Sequence, residues 1–137
     1  MSKVQRFFIG PQIDIDTIKS TSGSGVPTIA VAKAGNLIFT NGVVSNDPDT
    51  GKYVAGDIRV QTRRVLENLK LGIEAAGSSF ENVIMVHAFL KKMEDWPGYH
   101  DVYVEYFPEH SPPPRYTIQA EMASPELLIE IHMTAIT

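Results

Sequence analysis

"DIRVQTRRVLENLKLGIEAAGSSFENVIMVHAFLKK", residues 57–92, contains the change of hydrophobic period that decides the fold. Ile58, Val65, Leu66, Leu69, Ile73 and Ala76 recur at helical spacing and form one apolar face of a helix over about 58–76. Asp57 stands where an N-cap side chain takes up free N–H groups, and Gly77 stands where a helix stops. Beyond it, "NVIMVHAFLKK" is a short β-branched apolar run and reads as a buried strand around residues 83–91. A one-faced helix feeding a buried strand calls for a sheet with helices packed on it.

Downstream, Asp95 begins a second helix with Pro97 in its first turn. Trp96, Tyr99, Val102, Tyr103, Tyr106 and Phe107 follow the helix period, which assigns this aromatic stripe to the core rather than to base stacking. After "PEHSPPP", strands are expected at about 115–120 and 127–135. The last strand alternates. Leu127, Ile129, Ile131, Met133 and Ala135 share one side, and Leu128, Glu130, His132, Thr134 and Ile136 share the other. That second, half-polar side is expected to meet another subunit.

Upstream, "TIAVAKAGNLIFTNGVV" reads as two strands joined at Ala34-Gly35-Asn36, with Gly35 and Asn36 supplying positive φ angles. "NDPDTGKYV" is a turn-rich loop. "VQRFFI" reads as a short N-terminal strand, joined to the rest by the small-residue stretch "STSGSG" at 20–25, a flexible loop. The order of elements implies an α+β fold in a single domain, 1–137, with both helices on one face of a mixed sheet.

Composition narrows the function. The chain has 137 residues, 43% hydrophobic and 20% charged, with a formal charge of −4. That acidic balance argues against a general nucleic-acid or anionic-membrane binder. Cysteine is absent, which excludes disulfides and thiolate metal sites. The four histidines are scattered without metal-ligand spacing, so no metal is expected. No phosphate-cradling glycine motif or nucleophile elbow is present, so any catalysis is expected to run without a cofactor, on fixed charges and water. "MSKVQRFFIG" lacks an apolar run of signal-peptide length, and a cytoplasmic protein is the default expectation.

Two residues carry chemical interest. Arg115 follows three prolines and opens a strand, which suits either a surface ion pair or a stiffly held fork for a carboxylate or phosphate. Thr117 and Gln119 share a strand face with each other, opposite Tyr116, Ile118 and Ala120. Glu130 lies between isoleucines, where burial raises a carboxyl pKa toward the acid/base range. A structural partner for an arginine, or an exposed edge, is the alternative. His132 lies on the same side as Glu130.

The stretches "KAGNLIFTNG" (33–42), "DPDTGKYVAGDIRVQTRRVLENLKLGIEAAGSSFENVI" (47–84), "YVEYFPEH" (103–110), "PPPRYTIQA" (112–120) and "IEIHMTAI" (129–136) resemble the RidA/YjgF family of enamine and imine deaminases, also known as L-PSP endoribonuclease-like proteins. The resemblance spans about Pro27 to Ile136 and leaves 1–26 divergent. It implies a chorismate-mutase-like α+β fold and a homotrimer with active sites between subunits. It implies hydrolysis of a small 2-imino or enamino carboxylate to a keto acid and ammonia. Arg115 matches the family's carboxylate anchor and Glu130 its acidic residue beside the reacting imine. Gly42 and Thr117 match pocket positions. Two positions depart from the pattern: Thr28 replaces a pocket tyrosine, and His100 stands where asparagine is common. These departures point to a differently polar pocket. They also keep open a non-catalytic trimer that binds keto acids, with ribonuclease or translation inhibition a more remote alternative.

Overall fold

The protein is described from a computed structural model covering residues 2–13 and 26–137. The loop expected over 20–25 lies outside the described residues. Among the described residues, six strands and two α-helices follow in the order β1 (Val4–Ile13), β2 (Val26–Ala34), β3 (Leu37–Thr40), α1 (Ile58–Ala75), β4 (Val83–Leu90), α2 (Trp96–Tyr106), β5 (Arg115–Gln119) and β6 (Ile129–Ile136). They form one sheet in the order β1-β2-β3-β6-β4-β5. Every neighbouring pair is antiparallel except β4 and β5, which run parallel across the α2 crossover.

Helix α1 starts where its cap dictates. The Asp57 carboxylate accepts from the Val60 N–H at 3.0 Å, and Gly77 at φ +87° ends the helix. Its buried face packs on β2 and β6, with Ile29, Val31, Ile131 and Met133 among the core residues. Asp95 precedes α2 as expected but caps nothing with its side chain, because its backbone is already helical. The helices meet where Gly98 leaves room for Ile58; a Cβ there would lie 2.6 Å from the Ile58 Cγ2. Arg59–Asp101 and Arg63–Glu105 bridge them on the outside at 2.5 and 2.6 Å, half-exposed pairs that add little stability.

One expectation fails at the β2–β3 hairpin. Only Gly35 has positive φ, +61°, and Asn36 does not. A glycine at the first central position of a two-residue loop suits a turn of the II′ type, which needs positive φ at that position alone. The N-terminal strand is also longer than its apolar run, because Gly10 at φ +83° kinks it while pairing with β2 resumes at Gln12↔Pro27.

Register assigns the two faces. Val86↔Met133, Ala88↔Ile131 and Leu90↔Ile129 lie under the helices, and the whole buried set of β6 is on that side. The other face is uncovered and carries large apolar groups. Phe8 is 63% exposed, and Phe39 and Ile118 are each 47% exposed, joined by Leu37 and Tyr116.

Gly72 marks a close approach of α1 to the sheet. A Cβ at this position would lie 2.8 and 2.9 Å from the Cγ2 methyls of Ile29 and Val31. Those methyls sit on stiff β-branched side chains. Alanine gains about 1 kcal/mol in helix propensity, but overpacking costs about 1–3 kcal/mol. Gly72→Ala is therefore expected to lower the urea midpoint, and a raised midpoint would show that this contact relaxes freely.

Candidate functional site

Arg115 enters β5 from a segment pinned to the sheet, since the Pro114 carbonyl accepts from the Val86 N–H at 3.0 Å. Its pairing with Val86 turns the side chain to the helix side, at the edge of the sheet. There it meets α2. The guanidinium carbon lies 4.1 Å from the centroid of the Tyr103 ring, 5.4 Å from Tyr99 and 5.5 Å from Trp96. Nη1 donates to the Tyr99 hydroxyl at 3.2 Å, and Nη2 donates to His100 Nδ1 at 3.2 Å. The Tyr99 hydroxyl lies 2.9 Å from Thr117 Oγ1, tying β5 into the same network. His100 stacks on Trp96 with ring centroids 4.4 Å apart. Because guanidinium only donates, His100 Nδ1 is the acceptor in this contact.

The aromatic stripe is therefore core and something more. Tyr99 and Tyr103 are buried, as their periodicity requires, yet their rings and the Tyr99 hydroxyl also seat the cation. Burial pushes both phenols above their ordinary pKa, so they remain neutral at physiological pH. No dedicated motif announces this role. The available signal is that Trp96, Tyr99 and Tyr103 follow one helical spacing between two strands paired in parallel.

Glu130 lies elsewhere. In β6 it pairs with Phe89 of β4 and points to the uncovered face, opposite to the face holding Arg115. Gly42 is pressed against it, and a Cβ on Gly42 would lie 2.9 Å from the Glu130 carboxyl carbon. Among the described residues no hydrogen bond or ion pair reaches this carboxylate, and burial alone raises its pKa. Next to it on the same face, His132 and His87 stack at 4.2 Å with planes 5° apart, and Tyr116 meets the His87 ring edge-on at 4.6 Å. Burial, and then the neighbouring His87, push the His132 pKa down.

Within one chain the candidate residues thus fall into two groups. Arg115, His100 and Thr117 come together through Tyr99 and Tyr103, while Glu130 and Gly42 form a second group on the other side of the sheet. Thr28 belongs to neither. It is buried, its hydroxyl donates to the Pro11 carbonyl at 2.7 Å, and its Cβ is 2.9 Å from where a Cβ on Gly10 would lie. No cluster of three or more potential metal ligands occurs among the described residues. No helix among the described residues is long and apolar enough to cross a membrane.

A family model described as Endoribonuclease L-PSP matches residues 26–137. The chain belongs to this family. Among L-PSP relatives, a RutC family protein of Pyrococcus horikoshii is 45% identical over 109 residues, covering 80% of this chain and 86% of its own. A protein of Acinetobacter baylyi named 3-aminoacrylate deaminase RutC is 38% identical over 109 residues, with 80% and 86% coverage. The solved structure of a Thermotoga maritima protein superposes with a TM-score of 0.76 at 30% identity, covering 96% of this chain and 97% of that one. A Rid family protein from Yersinia pestis reaches 0.77 at 23% identity, with 97% and 100% coverage, and shares the fold. The L-PSP fold, with two helices on one face of a mixed sheet, is thus the fold expected from the RidA/YjgF resemblance, and deaminase chemistry occurs within this group.

The Glu130 environment makes a stability prediction. Its folded pKa is raised, so the stability it contributes is fully present below the ordinary carboxyl value of 4.5 and is lost as pH rises through the folded value. Glu130→Gln removes that loss. The variant is expected to melt at or above the wild-type temperature at pH 7, with its advantage shrinking toward pH 4. Melting curves across this range test it, and an advantage that grows on acidification would contradict the assignment.

Proposed function

We propose that this L-PSP protein is a hydrolytic deaminase of small imino or enamino carboxylates, yielding a keto acid and ammonia. The observation that carries this reading is the seat of Arg115. A guanidinium has five N–H groups, of which two are committed to Tyr99 and His100. The remaining three form part of a rigidly held fork, for which a carboxylate is the planar complement. The name of the A. baylyi relative supports an enamine carboxylate as the substrate class.

The chemistry asks for orientation and proton movement. An enamine protonated on carbon becomes an iminium, already electrophilic at the carbon that bore the nitrogen. Arg115 fixes the carboxylate and so orients that carbon. Glu130, with its pKa raised by burial, takes a proton from the attacking water as the new C–O bond forms. Glu130 then hands that proton to the carbinolamine nitrogen, the C–N bond breaks, and the departing ammonia takes up the hydroxyl proton as the carbonyl forms. Glu130 returns to its starting state.

This scheme requires Arg115 and Glu130 to come from different copies, because one chain holds them on opposite faces of its sheet. A homotrimer satisfies it. Head-to-tail contacts in a closed ring set one copy's Arg115 edge against the next copy's uncovered face, which carries Glu130, Gly42 and the exposed apolar residues. The same separation favours a second reading, a keto-acid-binding trimer without turnover, if assembly does not deliver Glu130 to Arg115.

Ammonia release from freshly generated 2-iminopropionate decides between them. Arg115→Ala and Arg115→Lys are each expected to lower it at least ~100-fold, since lysine lacks the planar fork. Glu130→Gln is expected to lower it by about 10²–10⁴. Undiminished turnover by a folded Arg115→Ala protein would rule out the clamp. Co-expressing the two inactive variants, Arg115→Ala and Glu130→Gln, is expected to restore roughly a quarter of the wild-type rate, because mixed rings regenerate sites with both native residues. Absence of rescue would place the two groups in separate functions.

A further inference from the structure

A cavity of about 270 Å³ lies beside Arg115 on the helix side of the sheet. We propose that it is a subsite for the substrate's side chain and that it takes an uncharged branched or aromatic substituent. The proposal rests on the reading of Arg115 as the carboxylate clamp and extends it to the substrate's other end.

Five of the eight lining residues are apolar or aromatic and firmly held; His100, Glu109 and Arg115 are the polar ones. Tyr103 and Val104 of α2, with Phe107 at its C-terminal end, supply one side, and Pro112 and Pro113 supply the other from the loop entering β5. The Tyr103 and Phe107 rings pack with centroids 4.9 Å apart, both buried. The loop is anchored where the Pro114 carbonyl takes the Val86 N–H. Phe80 stacks on the Phe107 ring at 4.8 Å, so the wall does not fold inward without disrupting the core. All of these groups belong to a single chain, and the cavity exists without a second copy.

Size sets the substituent. An apolar cavity of about 150 Å³ is enough for a benzene molecule. The methyl group of 2-iminopropionate would leave most of the space beside Arg115 empty, whereas an isobutyl or benzyl group would use it. Each methylene placed against such walls strengthens binding by roughly fourfold. Charge sets the rest. Arg115 is the cavity's only lysine or arginine, and the clamp commits it to the α-carboxylate, while the exposed Glu109 carboxylate also borders the space. A second acidic group on the substrate would meet Glu109 and find no cation of its own.

Isothermal calorimetry on the full-length protein tests this with four keto acids: pyruvate, 4-methyl-2-oxopentanoate, phenylpyruvate and 2-oxoglutarate. The branched and aromatic compounds are expected to bind on the order of tenfold or more tighter than pyruvate, and 2-oxoglutarate no tighter than pyruvate. Val104→Trp fills the cavity and is expected to bring the phenylpyruvate-to-pyruvate affinity ratio close to one. Val104→Phe does the same with a smaller addition, should tryptophan impair folding. Equal affinities across the series, absence of binding, or a ratio that survives both substitutions would overturn the subsite. Ammonia release from 2-iminopropionate, measured in parallel, separates the two claims. Turnover without the affinity ranking removes the subsite and leaves the deaminase reading, whereas the ranking without turnover does the reverse.

Discussion

The pleat of β4, β5 and β6 is the constraint on which the rest of the molecule depends. Successive side chains point to opposite faces, and α1 and α2 cover only one of them. Pairing Arg115 with Val86 commits the guanidinium to the helix side, and pairing Glu130 with Phe89 commits the carboxylate to the uncovered side. A one-residue slip of β5 on β4 would send Arg115 to the uncovered side, and a slip of β6 would send Glu130 to the helix side and turn Ile129, Ile131 and Met133 out of the core. The apolar side of β6 therefore holds Glu130 in place as firmly as it holds the core together.

Directing a cation toward the apolar side of a sheet is costly unless something receives it. Helix α2 does so with ring faces, whose negative quadrupoles attract a guanidinium by about 0.5–2 kcal/mol each, and with the Tyr99 hydroxyl and His100 Nδ1. The same residues fill the core between α2 and the sheet. One helical face thus meets two demands, and the arginine's position is coupled to the packing of Tyr99 and Tyr103. Placement of the neighbouring cavity follows from it, since Tyr103 is at once the floor under the guanidinium and a wall of that space.

The uncovered face has the opposite character. Apolar groups there remain in contact with solvent, and Glu130 is partly desolvated without a compensating charge among the described residues. The absence of a side chain on Gly42 permits that arrangement, because any Cβ would occupy the space of the carboxylate. This combination of exposed hydrophobic area and a desolvated acid is what the proposed assembly and chemistry draw on.

Sequence by itself determined what lies along single elements. The period of Ile58 to Ala76 set the buried face of α1, Asp57 and Gly77 set its ends, and alternation in β6 separated Ile131 from Glu130. The family's sequence pattern singled out Arg115 and Glu130. Tertiary structure alone decided how these residues meet. It placed Thr28 under Gly10 with its hydroxyl committed to Pro11, left Asn36 without positive φ, and made a core stripe into the seat of a cation. It also put Arg115 and Glu130 on opposite sides of one sheet. Periodicity is local and reports which residues share a face, whereas contact between faces depends on strand register and on which side the helices cover, and those are set by pairings between segments distant in the chain.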